Sequence, residues 1–169
     1  MGLSLYSIPT WASDTTYEIN DVYKYGTLYY YATSRHQSSS TFSSEFSDGI
    51  TTFNGKTKAK FFWSPSYNSP LQIRPNVKVV QFDDGYSSSA PQGINNILLP
   101  FNLTFDKRDD NETRAILHFL NQRKGAESFV FTAPFPYNIA KLYVCRNWDF
   151  ITVFVNNHTV RAEFVEVVI

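Results

Sequence analysis

The sequence predicts an α+β fold that is mostly β, and three observations carry that expectation. Phe, Tyr and Trp make up 17% of the 169 residues and fall on short runs with strand-like alternation, where such side chains fit a pleated, half-buried surface. One stretch, residues 109–124, joins an acidic cap to apolar residues at helical spacing. Around it the carboxy-terminal elements read β-β-α-β-β-β-β, which puts a single helix on one face of an antiparallel sheet.

Composition removes several function classes. Fifteen basic and fifteen acidic residues balance, so no electrostatic footprint for duplex nucleic acid exists. No apolar run approaches the roughly 20 residues that span a bilayer, and residues 1–10 lack the basic and apolar regions of a signal peptide. The expectation is a soluble protein without membrane insertion, released into the cytoplasm that makes it. Cys145 is the one cysteine, which excludes an internal disulfide and a multi-thiolate metal site, and its apolar strand makes it a small buried side chain.

Residues 1–66 read as a small aromatic β module. Tyr17–Tyr25 and Leu28–Ala32 flank a Lys24–Thr27 turn as a hairpin, with one row of tyrosines on its outer face. Residues 34–52, rich in Ser and Thr with Asp48-Gly49 as a turn, read as a long surface loop. Phe61-Phe62-Trp63 closes the unit as a return strand ended by Pro65. The order Trp11, Tyr17, Asn20-Asp21-Val22, Gly26, Tyr29, Ala32, His36, Trp63-Ser64-Pro65 resembles the small chitin-binding module of bacterial chitinases and some phage tail proteins. Asn20 departs from that family's glycine, and Thr33–His36 lacks the adjacent aromatic pair of its sugar-binding members. The resemblance implies Trp11, Tyr29, Tyr31 and Trp63 as glycan contacts. Packing within a tiny β module, or against another subunit, uses the same aromatics equally well.

Residues 67–169 read as the main domain. Val77, Val79 and Phe82 form a strand ending at Asp83-Asp84-Gly85, and Ser87–Gly93 continues as a long loop. Phe101, Leu103 and Phe105 alternate along a second strand, with Pro100 marking an edge or bend. Asp109–Glu112 caps the helix, Ile116, Phe119 and Leu120 form its apolar stripe, and Gly125 follows its end. Strands follow at Glu127–Phe131, Lys141–Cys145 and Phe150–Val155, and Val160, Ala162 and Phe164 mark the buried face of the last one.

In this part Val77–Ser87, Ala90-Pro91-Gln92-Gly93-Ile94-Asn95, Phe129–Pro134 and Ala162–Val168 are similar, in the same order, to blocks of the minor tail protein M family of lambda-type long-tailed phages. Asp83 stands where that family usually has glycine. The resemblance implies a tail-tube or distal-tail architecture, an antiparallel β barrel or sandwich with one flanking helix. It implies a structural ring at the tail tip, hexameric as is usual there, joining tail tube protein to baseplate hub proteins, with DNA only as cargo in the lumen. Its place would be the virion, after synthesis in the host cytoplasm. In such a ring Tyr86, Ser87, Ser88, Pro91 and Gly93 are candidates for inter-subunit contact. The runner-up is an accessory protein that binds host-surface glycan through the front module.

No catalytic constellation stands out. His36, His118 and His158 lie far apart and read as surface or capping residues. Asp83-Asp84 reads as a turn, and Asp106, Asp109 and Asp110 as helix capping rather than a cation site or acid/base pair. No nucleophile elbow or phosphate-cradling loop occurs, so neither enzyme activity nor a cofactor or metal is expected.

Overall fold

The structure, a computed structural model, describes residues 5, 7–67, 70, 73, 75–82, 85–91, 93 and 97–168. Asp83, Asp84, Gln92, Ile94 and Asn95 of the sequence motifs lie outside the described residues. The class is the expected one, mostly β with a single helix among the described residues.

The front of the chain folds as short strands. β1 (Thr16–Tyr17) pairs with β4 (His36–Gln37), while β2 (Val22–Tyr25), β3 (Leu28–Ala32) and β5 (Ser47–Asp48) form a small sheet. Tyr17, Tyr23 and Ala32 make a satellite core, against which Trp11, Tyr30 and Phe42 pack. The hydroxyls of Tyr23 and Ser47 share a hydrogen bond across this sheet. Gly49 has φ +114°, and a Cβ there would stand 2.7 Å from the Tyr31 ring, so this turn accepts only glycine without displacing a buried tyrosine.

The segment expected to be a loop ends in a hairpin instead. β6 (Ile50–Phe53) and β7 (Lys56–Phe61) are joined by Asn54-Gly55, both at positive φ, the two-residue turn whose twist matches antiparallel strands. β7 does not close the front module on itself. It lies parallel to β11 (Phe129–Thr132), with Val130 opposite Lys60 and Phe131 opposite Phe61.

That pairing completes a six-stranded sheet in the order β10-β13-β12-β11-β7-β6, where β10 is Phe101–Arg108, β12 is Ala140–Phe154 and β13 is Asn157–Glu166. The sheet is open. Its β10 edge is covered by the chain just before it: Ser66 N–H donates to the Thr104 carbonyl, Asp106 N–H to the Ser66 hydroxyl and Asn102 N–H to the Pro70 carbonyl. Covering a row of free ladder groups in this way blunts edge-to-edge association. The strands expected at 141–145 and 150–155 are one strand, because Arg146 is absorbed as a bulge and Asn147–Asp149 stays paired to β13.

The helix α1 (Asp110–Arg123) lies on one face of the sheet. Asp109 is its N-cap, with a side-chain oxygen accepting the Glu112 N–H at 2.7 Å, and the left-handed residue that ends it is Lys124, one before the expected glycine. Ala115, Ile116, Phe119 and Leu120 face Phe101, Leu103 and Phe105 of β10, Val160, Ala162 and Phe164 of β13, and Phe129 and Phe131 of β11. Phe61 and Trp63 enter the same core, and so do Val22 and Tyr31 from the small sheet. Trp63 Nε1–H donates to Asn20 Oδ1 at 3.0 Å, and the Tyr31 hydroxyl meets His118 Nδ1 at 3.0 Å. Residues on either side of position 66 thus share one sheet and one core. Glu166 of the carboxy-terminal motif is buried, with one oxygen 2.6 Å from Lys141 Nζ and the other accepting the Leu99 N–H. It ties the last strand to the segment that enters β10.

Candidate functional site

The hairpin of β8 (Val77–Gln81) and β9 (Ser87–Pro91) and the distal part of β12 leave apolar side chains in water. β8 and β9 pair antiparallel from Val77 opposite Pro91 to Gln81 opposite Ser87. Every residue of both strands is exposed, and Val79, Phe82 and Tyr86 are 62%, 57% and 76% accessible. Ser87–Pro91, expected as loop, is a strand: three serines carry little β preference of their own, and the ladder from Val77–Gln81 supplies the order. A two-stranded hairpin wet on both faces is marginal in isolation, so this one gains most from a surface to lie on.

The second is the distal part of the β12–β13 hairpin. β11 runs beside β12 only as far as Tyr143, so beyond it β12 pairs with β13 alone among the described strands. Phe150, Ile151, Val153, Phe154 and Val155 are all exposed, Phe154 and Val155 at 74% and 94%. The sequence offered a signal for this. A strand with one wet face alternates polar and apolar, whereas Phe150–Val155 is apolar apart from Thr152, so both of its faces call for cover.

The residues proposed from sequence fall into two sets. Tyr86, Ser87, Ser88 and Pro91 lie together on the β8–β9 hairpin, and Gly93 follows it, exposed. Of the aromatics considered for glycan, Tyr31 and Trp63 are buried to 2% and 5%, with ring centroids 5.1 Å apart in the main core. Trp11 is half-buried, edge-on to Tyr25 and Phe42. Tyr29 is half-buried with its ring against His118 at 4.9 Å.

The titratable groups mostly serve the fold. His118 was expected at the surface, but it is 1% exposed, because helical phase turns it toward Tyr29 and Tyr31; burial and the nearby Arg123 charge bring its pKa down to about 4. Burial likewise raises the Tyr31 hydroxyl and pushes the Cys145 thiol up to about 12. His36 stacks between Tyr17 and Phe46. His158 Nε2 lies 2.6 Å from Asp110 Oδ1 and Nδ1 3.0 Å from the Thr152 hydroxyl, a triad-like chain that fastens the long hairpin to the start of the helix. Asp106 accepts from the Thr159 hydroxyl across β10 and β13. Among the described residues no group of three His, Cys, Asp or Glu is placed to hold a metal ion, and no helix is long and apolar enough to cross a membrane.

Comparison with known proteins gives the chain a family. A family model described as phage minor tail protein matches residues 59–168, which begins inside β7 and takes in the rest of the sheet apart from β6. A similar protein is the tail tip protein M of Escherichia phage lambda, 31% identical over 89 residues, covering 53% of this chain and 80% of that one.

Proposed function

Given that the chain belongs to the phage minor tail protein family and is a structural component of the virion's tail, we propose that its copies close into a ring at the tail tip. The ring, with six copies as the reference count, extends the tail tube and joins it to the baseplate hub, and DNA passes through its lumen as cargo. The observation that carries this reading is a pair of exposed apolar surfaces, the β8–β9 hairpin and the distal part of β12, both outside the buried core. A cyclic ring needs two different surfaces on each subunit, one to reach and one to receive, and two separate apolar projections supply them. Tyr86, Ser87, Ser88, Pro91 and Gly93 are then inter-subunit contacts. The role calls for no catalysis and no cofactor.

Within this reading the chain divides into a front module, 1–66, and a ring-forming domain, 67–169, with β6 and β7 of the former completing the sheet of the latter. Light scattering on the purified chain over a concentration series, together with incorporation into tails, tests the proposal. Wild type forms a closed oligomer or enters tails; Tyr86→Ser and Phe154→Ser lower that yield while leaving the circular dichroism of the monomer unchanged. A strict monomer at high concentration that never enters tails refutes it.

A further inference from the structure

A cleft of about 320 Å³ opens where the β2–β3 hairpin, the β6–β7 hairpin and the end of α1 meet. Leu28 and Tyr29 are part of its apolar lining, and Lys58, Gln122, Arg123 and Glu127 part of its polar lining. None of these residues belongs to β8, β9 or the distal part of β12–β13, so the cleft is separate from the surface assigned to ring contact.

Its chemistry is uneven for a chain with no net charge. Lys58 and Arg123 are joined on the lining by Lys124, and Lys24 holds its ammonium 5.9 Å from the Tyr29 ring. Glu127 is the one carboxylate on the lining, and it lies 3.0 Å from Arg123. The Lys58 ammonium meets only the Ser128 hydroxyl, at 3.4 Å, and forms no ion pair among the described residues. A half-buried aromatic ring, an amide that both donates and accepts, a carboxylate and spare cations make a set that suits a polyhydroxylated ring bearing a negative charge. The ring of Tyr29 packs against sugar C–H groups, Gln122 and Glu127 take hydroxyls, and Lys58 with Lys124 takes the anion. The volume is at the lower end for small-molecule sites and fits one or two sugar units rather than a folded partner.

We propose that this cleft is a binding site for an acidic saccharide, carrying a carboxylate or a phosphate. The site moves any glycan recognition away from Trp63 to the cleft lined by the half-buried Tyr29. It does not depend on ring formation.

Saturation-transfer NMR and titration calorimetry on the full chain test it, with glucuronic acid and glucose 1-phosphate as probes and glucose and inorganic phosphate as comparisons. Both acidic sugars bind about tenfold or more tightly than either comparison, and added salt weakens them as it screens the cations. Lys58→Gln and Tyr29→Ala each weaken binding about tenfold, while Trp11→Ala leaves it unchanged. Because Tyr29→Ala touches a packed ring, Lys58→Gln decides the matter if the tyrosine variant unfolds. Absence of binding, equal binding of glucose, equal binding of inorganic phosphate, or affinity untouched in a folded Lys58→Gln protein would each overturn the assignment.

Discussion

Replacing Phe61 by alanine asks whether the chain is one cooperative body or two. Phe61 is 2% exposed at the end of β7, and its ring lies 5.0 Å from Trp63, 5.6 Å from Phe105, 5.4 Å from Phe119, 6.0 Å from Phe129, 5.8 Å from Phe131 and 5.0 Å from Phe164. Five of those six partners come after residue 66. Truncating a buried Phe typically costs about 3–5 kcal/mol, and a site ringed by stiff aromatics on strands and helix collapses poorly, which favours the upper half of that range. Against a total of about 5–15 kcal/mol for an ordinary domain, about 4 kcal/mol is a large share.

Urea unfolding followed by tryptophan fluorescence and far-ultraviolet circular dichroism measures this. With a slope of about 2 kcal/mol per molar, the midpoint falls by roughly 2 M, and both probes report one transition that moves as a whole. A loss under about 1 kcal/mol, or two transitions of which only the smaller moves, would refute the reasoning. Either result would mean that β7 lies on the sheet without contributing to its stability, and that the front module melts by itself.

Three further expectations follow from buried groups. The His118 pKa, about 4 in the fold against about 6.5 unfolded, means that the unfolded chain binds the proton first as pH falls. Stability is therefore full above pH 6.5 and drops by about 3 kcal/mol toward pH 4; His118→Gln removes that slope in urea titrations run across this window, and an unchanged slope would count against a buried neutral imidazole. Gly49→Ala forces a left-handed alanine against Tyr31, so thermal unfolding shows a loss of about 1–3 kcal/mol. The Cys145 thiol, 1% exposed and pushed up to about 12, stays unreactive toward a disulfide reagent at neutral pH until the protein unfolds, and prompt labelling of the native chain would contradict its placement.

Much of the fold is legible where local signals agree with tertiary structure. Phe101, Leu103 and Phe105, like Val160, Ala162 and Phe164, alternate in sequence and all lie in the core, and Asp109 caps the helix it announces. The misread parts are those where the deciding partner is distant. β7 looks like the end of a small module because Pro65 follows it, yet its neighbour is β11, nearly seventy residues on, and no local pattern encodes a parallel pairing of that span. Asn54-Gly55 was readable as a hairpin turn, but lies beside a Ser/Thr-rich stretch that resembles surface loop. Arg146–Asp149 looks like a turn between two strands because its polar residues interrupt the apolar run; a bulge accommodates them without breaking the strand. Of the candidate contacts, Tyr86, Ser87, Ser88, Pro91 and Gly93 are exposed, whereas Tyr31 and Trp63 could not be told from surface aromatics, since sequence shows an aromatic residue's spacing and not what lies over its ring.

The family blocks take on a physical meaning once placed in the fold. Phe129, Phe131 and Ala133, then Ala162, Phe164 and Glu166, are core and strand-fastening positions, so most of the pattern that identifies the chain specifies how it packs. The described residues of β8 and β9 are all exposed, and the two strands pair with each other. Among the described residues this hairpin contributes none to the buried core, so burial within the monomer does not account for its apolar side chains. Under the ring proposal that difference has a cause: the packing blocks make the body, and the hairpin block makes the contact that only a second copy completes. The exposed distal part of β12, whose tip is held to the start of the helix through His158 and Asp110, is then the counterpart, an apolar surface kept in position by the helix beside it.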